Sequence, residues 1–303
     1  MFKPAAASST MTRLAALLLF LLTMNAYGQS DASWIRILPS DTIQCRDARC
    51  LSVSPEGHLY IADTGHHRVF VLDENGKLIV ETGGFGSSHG QFQWPRAVVA
   101  DRGNAVWVLD YGNRRIEKFT RSLEYQGTFT VAVPNEIAGR QIEAMAISPQ
   151  GDLYVFDRDG SRLLHYDPLF QQMAELGSRS GVEFISSISS MTFVPRSGLY
   201  WWTRGSSRVA HTDALLNPAQ DFTLKGAPET LALASSDSCL LYASSGGILR
   251  LCPESGVPDT LVSPELLAAA GIARVTSLAL TPDQQLVVLD GSANAVYRIK
   301  IRE

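Results

Sequence analysis

No nucleophile elbow, phosphate-binding loop, dinucleotide fingerprint or His-Glu-x-x-His pair occurs in this 303-residue chain. Each of those motifs sets a reactive or phosphate-binding group on a defined turn or helix. Nucleotide, phosphate and metalloprotease chemistry therefore have no support in the residue pattern. Charge is sparse: 26 Lys and Arg face 30 Asp and Glu, a formal net charge of −4. No Lys/Arg cluster forms the basic footprint that nucleic-acid binding requires, so nucleic acid is not an expected partner. After Leu22 no segment is long and apolar enough to span a membrane. Extended helical periodicity is missing too, with one short helical turn expected in LVSPELLAAAG around Leu266. At 45% hydrophobic residues the chain still carries material for a large core.

The one long apolar run lies at the start. Lys3 and Arg13 supply positive charge, Leu14 to Leu22 is apolar, and Ala26 and Gly28 are small. That order is the order of a secretory signal, with cleavage expected before Gln29. The run is shorter than the ~20 residues of a membrane helix; an uncleaved anchor is the alternative. The expected organisation is a signal segment over 1–28 and one domain over 29–303, secreted or periplasmic, with no membrane span after cleavage. The cysteines number four: Cys45, Cys50, Cys239 and Cys252. An even count in an exported chain suggests disulfides. A two-residue turn at Ser245-Gly246 would bring Cys239 opposite Cys252, and Cys45 with Cys50 would close a small loop. Four free thiols are the alternative. Zinc fits poorly, because the C-x4-C spacing is wide and no His lies near it.

What the sequence has in abundance is repetition. A short apolar alternation, a Gly/Asp/Pro turn, a second apolar run, a polar turn and a third apolar run recur six times. The second and third runs begin LYIADTGHHRVFVLD at Leu59 and end LVVLDGSANAVYRIK at Leu286. Equivalent positions are Asp63, Asp110, Asp157, Thr203, Ser244 and Asp290, spaced 47, 47, 46, 41 and 46 residues apart. Mostly-β units of about 40–50 residues are the mark of propeller blades. The first strands, such as LSVSPEG, AMAISPQG and LALTPDQ, are short and rich in Ala and Ser. That suits an innermost strand, where the sheets converge. The sixth unit stops after its third strand, while SWIRILP from Ser33 precedes the first. An all-β, six-bladed β-propeller follows, closed by an N-terminal strand added to the last blade. Closure of this kind removes an exposed edge.

The stretch DTGHHRV, then GGFGSSHGQFQWPRAVVAD, then DYGNRRI resembles the NHL repeat, with its Asp-x-Gly-Asn/His-x-Arg turn and its Gly-rich run into Phe-x-x-Pro. The match weakens along the chain, and blade five has neither the Asp nor the Arg. The resemblance implies the six-bladed fold and a role as an interaction platform. The recurring pairs Asp63–Arg68, Asp110–Arg115 and Asp157–Arg162 are expected to shape turns. A residue repeated in every blade serves the blade, whereas a catalytic residue should break the repeat.

Such repeat-breaking positions lie just before the first strands: Arg49, Arg96, Glu143, Ser189, Glu229 and Thr276. They are expected to ring the mouth of the central channel and bind a protein, peptide or small polar ligand. Mutual neutralisation of the charges is the alternative. Related propellers of the regucalcin and gluconolactonase type bind a divalent metal near such a mouth. Here Glu143 and Glu229 offer oxygens, but two arginines stand where a cation wants more of them. His58, His66, His67, His89, His165 and His211 do not fall where the three-histidine zinc sites of related amidoglycolate lyases fall. No cofactor is expected, with a divalent metal the open exception. Tyr200, Trp201, Trp202 and the loop Trp94 are expected to pack at blade junctions. The function expected is a non-catalytic extracytoplasmic binding scaffold; the alternative is a metal-assisted lyase or lactonase-like enzyme.

Overall fold

The computed structural model describes residues 34–40, 43–131, 139–177, 187–224, 231–236, 238–252, 255 and 257–300. The expected signal segment and Glu229 lie outside the described residues. Six four-stranded antiparallel sheets form a propeller. Blade one is β2 (Ala48–Val53), β3 (Leu59–Asp63), β4 (Arg68–Leu72) and β5 (Leu78–Gly83). Blade two is β6 (Pro95–Ala100), β7 (Ala105–Asp110), β8 (Arg115–Thr120) and β9 (Tyr125–Phe129). Blade three is β10 (Ile142–Ile147), β11 (Leu153–Asp157), β12 (Arg162–Tyr166) and β13 (Gln172–Gly177). Blade four is β14 (Ser190–Val194), β15 (Gly198–Trp202), β16 (Arg208–Thr212) and β17 (Phe222–Thr223). Blade five is β18 (Ala232–Ser236), β19 (Cys239–Ser244), β20 (Gly247–Leu251) and β21 (Asp259–Val262). Helix α1 (Pro264–Ala269), capped by the Ser263 hydroxyl, leads to β22 (Val275–Leu280), β23 (Gln285–Asp290) and β24 (Ala295–Lys300) of blade six.

The ring closes as the sequence predicts. Strand β1 (Ile35–Leu38) pairs antiparallel with β24, Ile35 facing Arg298 and Leu38 facing Val296. The Asn294 side chain of blade six accepts from the Ala48 N–H of blade one at 3.0 Å, a second tie across the seam.

Second strands read as unbroken apolar runs because both their faces are covered. All five residues of β3, β11 and β15 and all six of β7 are buried. Core clusters sit between successive blades, so each blade packs through its faces on two neighbours. Trp201 and Trp202 point oppositely, as consecutive strand residues must. Trp201 packs with blade three and Trp202 with blade five. The serines of the inner strands have a further use. Ser52, Ser190 and Ser277 hydroxyls accept from the Ala100, Leu233 and Leu51 N–H groups of adjacent blades at 3.0–3.1 Å. A small side chain lets the inner strands approach, and its oxygen satisfies an N–H with no partner in its own sheet.

One cysteine pair forms and the other does not. Cys239 and Cys252 are bonded, flanking a hairpin in which Leu240 faces Leu251 and Ser244 faces Gly247. Cys45 and Cys50 are separate thiols, correcting the second expected bridge. Cys45 packs into the core between blades six and one, and Cys50 into that between blades one and two. They lie on opposite faces of blade one. Burial pushes the Cys45 thiol up to about 12, and burial raises Cys50 as well, so both are poor nucleophiles.

In blades one and two the Asp-x-Gly turn clamps the chain entering the inner strand. Asp63 Oδ1 accepts from the Arg46 N–H at 2.8 Å, and the Gly65 N–H donates back to the Arg46 carbonyl at 2.7 Å. Asp110 and Gly112 grip Gln93 in the same way at 2.7 Å each. A Cβ on Gly65 would stand 2.5 Å from that Arg46 carbonyl, which is why glycine is required there. The other carboxylate oxygen takes the Arg Nε of the next strand at 2.9 Å in blades one, two and three. These arginines shape turns, as the repeat implies. Burial pushes the Asp110 carboxyl above its ordinary range, against the hydrogen bonds from Asn113, Gln93 and Arg115. At Asp290 burial also pushes upward, but bonds from Ser292 and three backbone N–H groups outweigh it, and the carboxyl lies below its ordinary value.

Asp110→Ala leaves the Gln93 N–H and the Arg115 Nε–H without their acceptor in a buried junction. It is expected to cost on the order of 3 kcal/mol in urea unfolding, and Asp110→Asn less. An unchanged urea midpoint for Asp110→Ala would count against the clamp.

Candidate functional site

The inner strands β2, β6, β10, β14, β18 and β22 enclose a central channel of about 1240 Å³. Small residues line its waist, among them Ala97, Ala144, Ser190, Ala234 and Ser277. Four prolines, Pro55, Pro149, Pro195 and Pro282, line it beyond the strand ends. The opposite mouth, where the inner strands begin, is different in chemistry. Arg49, Arg96, Glu143, Ser189 and Thr276 all line the channel, as the sequence predicts. Glu229, the sixth expected member, lies outside the described residues.

A feature invisible in the sequence aims four of these side chains. In blade one Ala48 faces Asp63 while Cys50 faces Ala62, leaving Arg49 as the extra residue of a β-bulge. Arg96, Glu143 and Thr276 are the extra residues of the same bulge in blades two, three and six. A bulge leaves one residue unpaired, shifts the register by one there and re-aims that residue's side chain. The residues thus lie within the inner strands rather than just before them. Blade four has no such bulge at this point, and Ser189 precedes β14, its N–H donating to the Trp202 carbonyl.

Two further arginines, Arg204 and Arg274, line the channel at this end. Arg274 Nη2 donates to the Gly291 carbonyl at 2.9 Å. Arg204 occupies the motif position that holds Thr64, Tyr111 and Arg158 in earlier blades. That position varies while its neighbours repeat, and it is the signal that finds Arg204 and Tyr111. Among the described residues the mouth carries four guanidiniums, Arg49, Arg96, Arg204 and Arg274, against the carboxylates of Asp47 and Glu143.

The guanidiniums are not equally spent. Arg49 pairs with Asp47 at 2.9 Å. Arg96 forms no ion pair with Glu143 or any other described carboxylate. Its guanidinium carbon lies 3.2 Å from the centroid of the Tyr111 ring. Burial, with the Arg49 charge adding to it, holds Arg96 below the ordinary arginine value, against the opposing pull of Tyr111 and the Glu143 charge. The Tyr ring supports the cation from one side by a cation–π contact and supplies no counter-charge. A partly buried Arg held this way keeps its donor fork for a planar acceptor. Glu143 Oε2 is enclosed and accepts no hydrogen bond.

Beside the mouth, at the junction of blades one and two, a cleft of about 270 Å³ is lined by Asp47, Arg49, Thr64, Trp94, Arg96 and Tyr111. Trp94 lies at the blade junction as the sequence predicts, yet it is 51% exposed and forms one wall of this cleft.

The histidines do not converge. His66 Nδ1 is bonded to Asp63, while His165 and His211 stack on Tyr154 and Tyr200 in third strands. Among the described residues no three His, Cys, Asp or Glu side chains gather as a metal site. No described helix is long and apolar enough to cross a membrane.

The NHL repeat profile matches residues 46–72, which span β2 to β4 of blade one. No curated protein sequence matches the chain. Many solved structures share its fold. A gluconolactonase of Xanthomonas campestris superposes with a TM-score of 0.63 at 12% identity, covering 90% of this chain and 91% of that one. A candidate exported protein of Bacteroides fragilis gives 0.63 at 10% identity, over 90% and 95%. An inactive virginiamycin B lyase of Staphylococcus aureus with quinupristin gives 0.59 at 11% identity, over 88% and 83%. Identities this low speak for the fold alone.

Purified protein dialysed without chelator is expected to hold far less than one equivalent of calcium or zinc by mass spectrometry. A stoichiometric metal would redirect attention to Glu143 and Glu229.

Proposed function

We propose that this six-bladed propeller, which carries an NHL repeat in its first blade, is a non-catalytic binding module that takes a small anionic ligand, of carboxylate type, at the arginine-bearing mouth of its channel. The observation behind the reading is Arg96. It is partly buried, supported by Tyr111 and beside Arg49, and no described carboxylate lies within ion-pair distance of it, the Glu143 charge acting on it only from further off. A guanidinium withdrawn from water without an anion is costly unless a ligand supplies one. Arg204 and Arg274 add charge of the same sign to the same opening. A propeller mouth of this polarity repels a catalytic cation, which disfavours the metal-assisted alternative on electrostatic grounds.

An extracytoplasmic setting accompanies the proposal. The signal-like start and the Cys239–Cys252 bond both suit an oxidising compartment. The channel walls are rigid inner strands, so the ligand meets a largely preformed site.

Isothermal titration with acetate, succinate and citrate at low salt tests the reading. At least one of these is expected to bind, and the Arg49→Ala/Arg96→Ala protein to bind roughly tenfold to a hundredfold more weakly, the loss expected for charged hydrogen bonds. Its circular dichroism should match the parent. If no carboxylate binds, or if binding survives the double substitution, the mouth is not an anion site.

A further inference from the structure

From the cleft between blades one and two we infer that the ligand of the mouth is an aromatic carboxylate, its planar ring stacked on Trp94 and its carboxylate held by Arg96. The inference rests on the anion-binding reading above and adds the chemistry of the rest of the ligand.

The first observation is where Trp94 sits. Its backbone is left-handed, at φ +54°, a region that Gly, Asn and Asp tolerate and bulky residues avoid. The equivalent residue of blade one is Asp47, at φ +52°. Blade two places the bulkiest side chain of all in the same conformation. Packing does not explain the choice, because half of Trp94 is exposed. Strain and apolar exposure together at one residue are the pattern expected where a side chain is kept for contact with something outside the fold.

Secondly, Trp94 is held rigidly. Its N–H donates to His67 Nδ1 at 3.1 Å. The His67 ring lies edge-on to Phe85 at 5.1 Å and tilted to Trp94 at 6.1 Å. Phe85 is 64% exposed, so the rings form an open aromatic strip. On the other side, Gly112 has no side chain, and a Cβ there would stand 2.9 Å from Trp94 Cε3. The indole therefore has one face on the blade-two turn and its exposed surface toward the cleft.

The neighbouring groups then choose among ring types. A sugar acid would bring several hydroxyls beside the indole, each needing a partner. Apart from Arg96, the polar side chains there each already hold a partner within the protein. The Thr64 hydroxyl donates to the Pro95 carbonyl at 2.6 Å, the Tyr111 hydroxyl accepts from Arg158 at 3.3 Å, and Asp47 is paired with Arg49. A ring without hydroxyls loses nothing in this place and stacks on indole by offset or edge contacts. The Arg96 fork, flat on Tyr111, lies in the same cleft to meet a carboxylate. At about 270 Å³ the cleft lies at the lower end of small-molecule sites and accommodates one ring with a short acid arm.

Calorimetry with phenylacetate, cyclohexylacetate, acetate and glucuronate tests the inference on the whole mature protein. Phenylacetate is expected to bind at least tenfold tighter than acetate and tighter than cyclohexylacetate. Glucuronate is expected to bind no tighter than acetate. Trp94→Ala should erase the advantage of phenylacetate, and Trp94→Phe should keep part of it. Arg96→Ala should weaken phenylacetate and acetate alike. Acrylamide quenching in a Trp34→Phe background gives an independent readout, because Trp107, Trp201 and Trp202 are buried, Trp94 is exposed and Trp34 is half-buried; phenylacetate should shield the quenchable fraction. Equal, Arg96-dependent binding of acetate and phenylacetate would overturn the aromatic ligand and leave the anion site standing. Tighter binding of glucuronate would overturn it in favour of a sugar acid. No Arg96-dependent binding of any of the four would overturn both readings.

Discussion

The aspartate that ends the second strand in blades one, two, three and six carries the architecture. In blades one and two its buried carboxylate accepts from the N–H of a residue that precedes the inner strand of the same blade, and the glycine two residues later returns a hydrogen bond to that residue's carbonyl. The turn, the incoming chain and the arginine of the third strand are thereby locked at one point. Two or three residues further on lies the bulge, and the bulge residue is the one that faces the channel mouth. The chain of cause therefore runs from a motif aspartate to a fixed strand entry, then to a bulge, then to a ring of outward-facing side chains. The motif residues are alike because the clamp needs them alike. The bulge residues differ because the clamp asks nothing of their side chains.

That division explains what was legible in the sequence. Repetition every 41 to 47 residues revealed the propeller, since each blade needs the same turn chemistry. The closing strand showed itself as a missing fourth strand at one end and a spare strand at the other. The Cys239–Cys252 bond followed from counting outward from a two-residue turn. The expected Cys45–Cys50 bridge failed because closeness in sequence does not decide which face of a sheet a residue meets. One thiol is in the core behind blade one and the other in the core ahead of it. The bulge was hidden because an extra residue changes neither composition nor apolar pattern. Trp94 read correctly as a junction residue. Its backbone angle and exposure, which give it its second meaning, are properties of three dimensions.

Charge shows the same separation between whole and part. The chain carries a net −4, yet the described mouth holds four guanidiniums against two carboxylates. Far from the protein an anion meets an acidic molecule, and only within about a Debye length does it meet the arginines. Low-dielectric walls strengthen that local field. Binding at such a mouth is selective by proximity and geometry rather than by long-range steering. It favours a ligand with one or two charges and a surface to stack over a polymer of dense negative charge.

Blade five tests the primacy of the clamp, because it lacks both the aspartate and the arginine. Ser244 stands at the motif position, and among the described residues its hydroxyl accepts from the Gly246 N–H two residues on. The carboxylate and guanidinium of the three-way lock are missing from its sequence. The same blade holds the one disulfide among the described residues, joining its second and third strands at the hairpin's open end with a sequence separation of 13. Closing a loop of that size stabilises by about 3 kcal/mol in the chain-entropy account, similar to the ~3 kcal/mol at stake in a buried charged clamp. Blade five thus has its second and third strands held covalently where blades one, two and three hold theirs by an ion pair. A blade stapled by sulfur keeps its strength only where thiols stay oxidised, which is the condition that the proposed extracytoplasmic setting would supply.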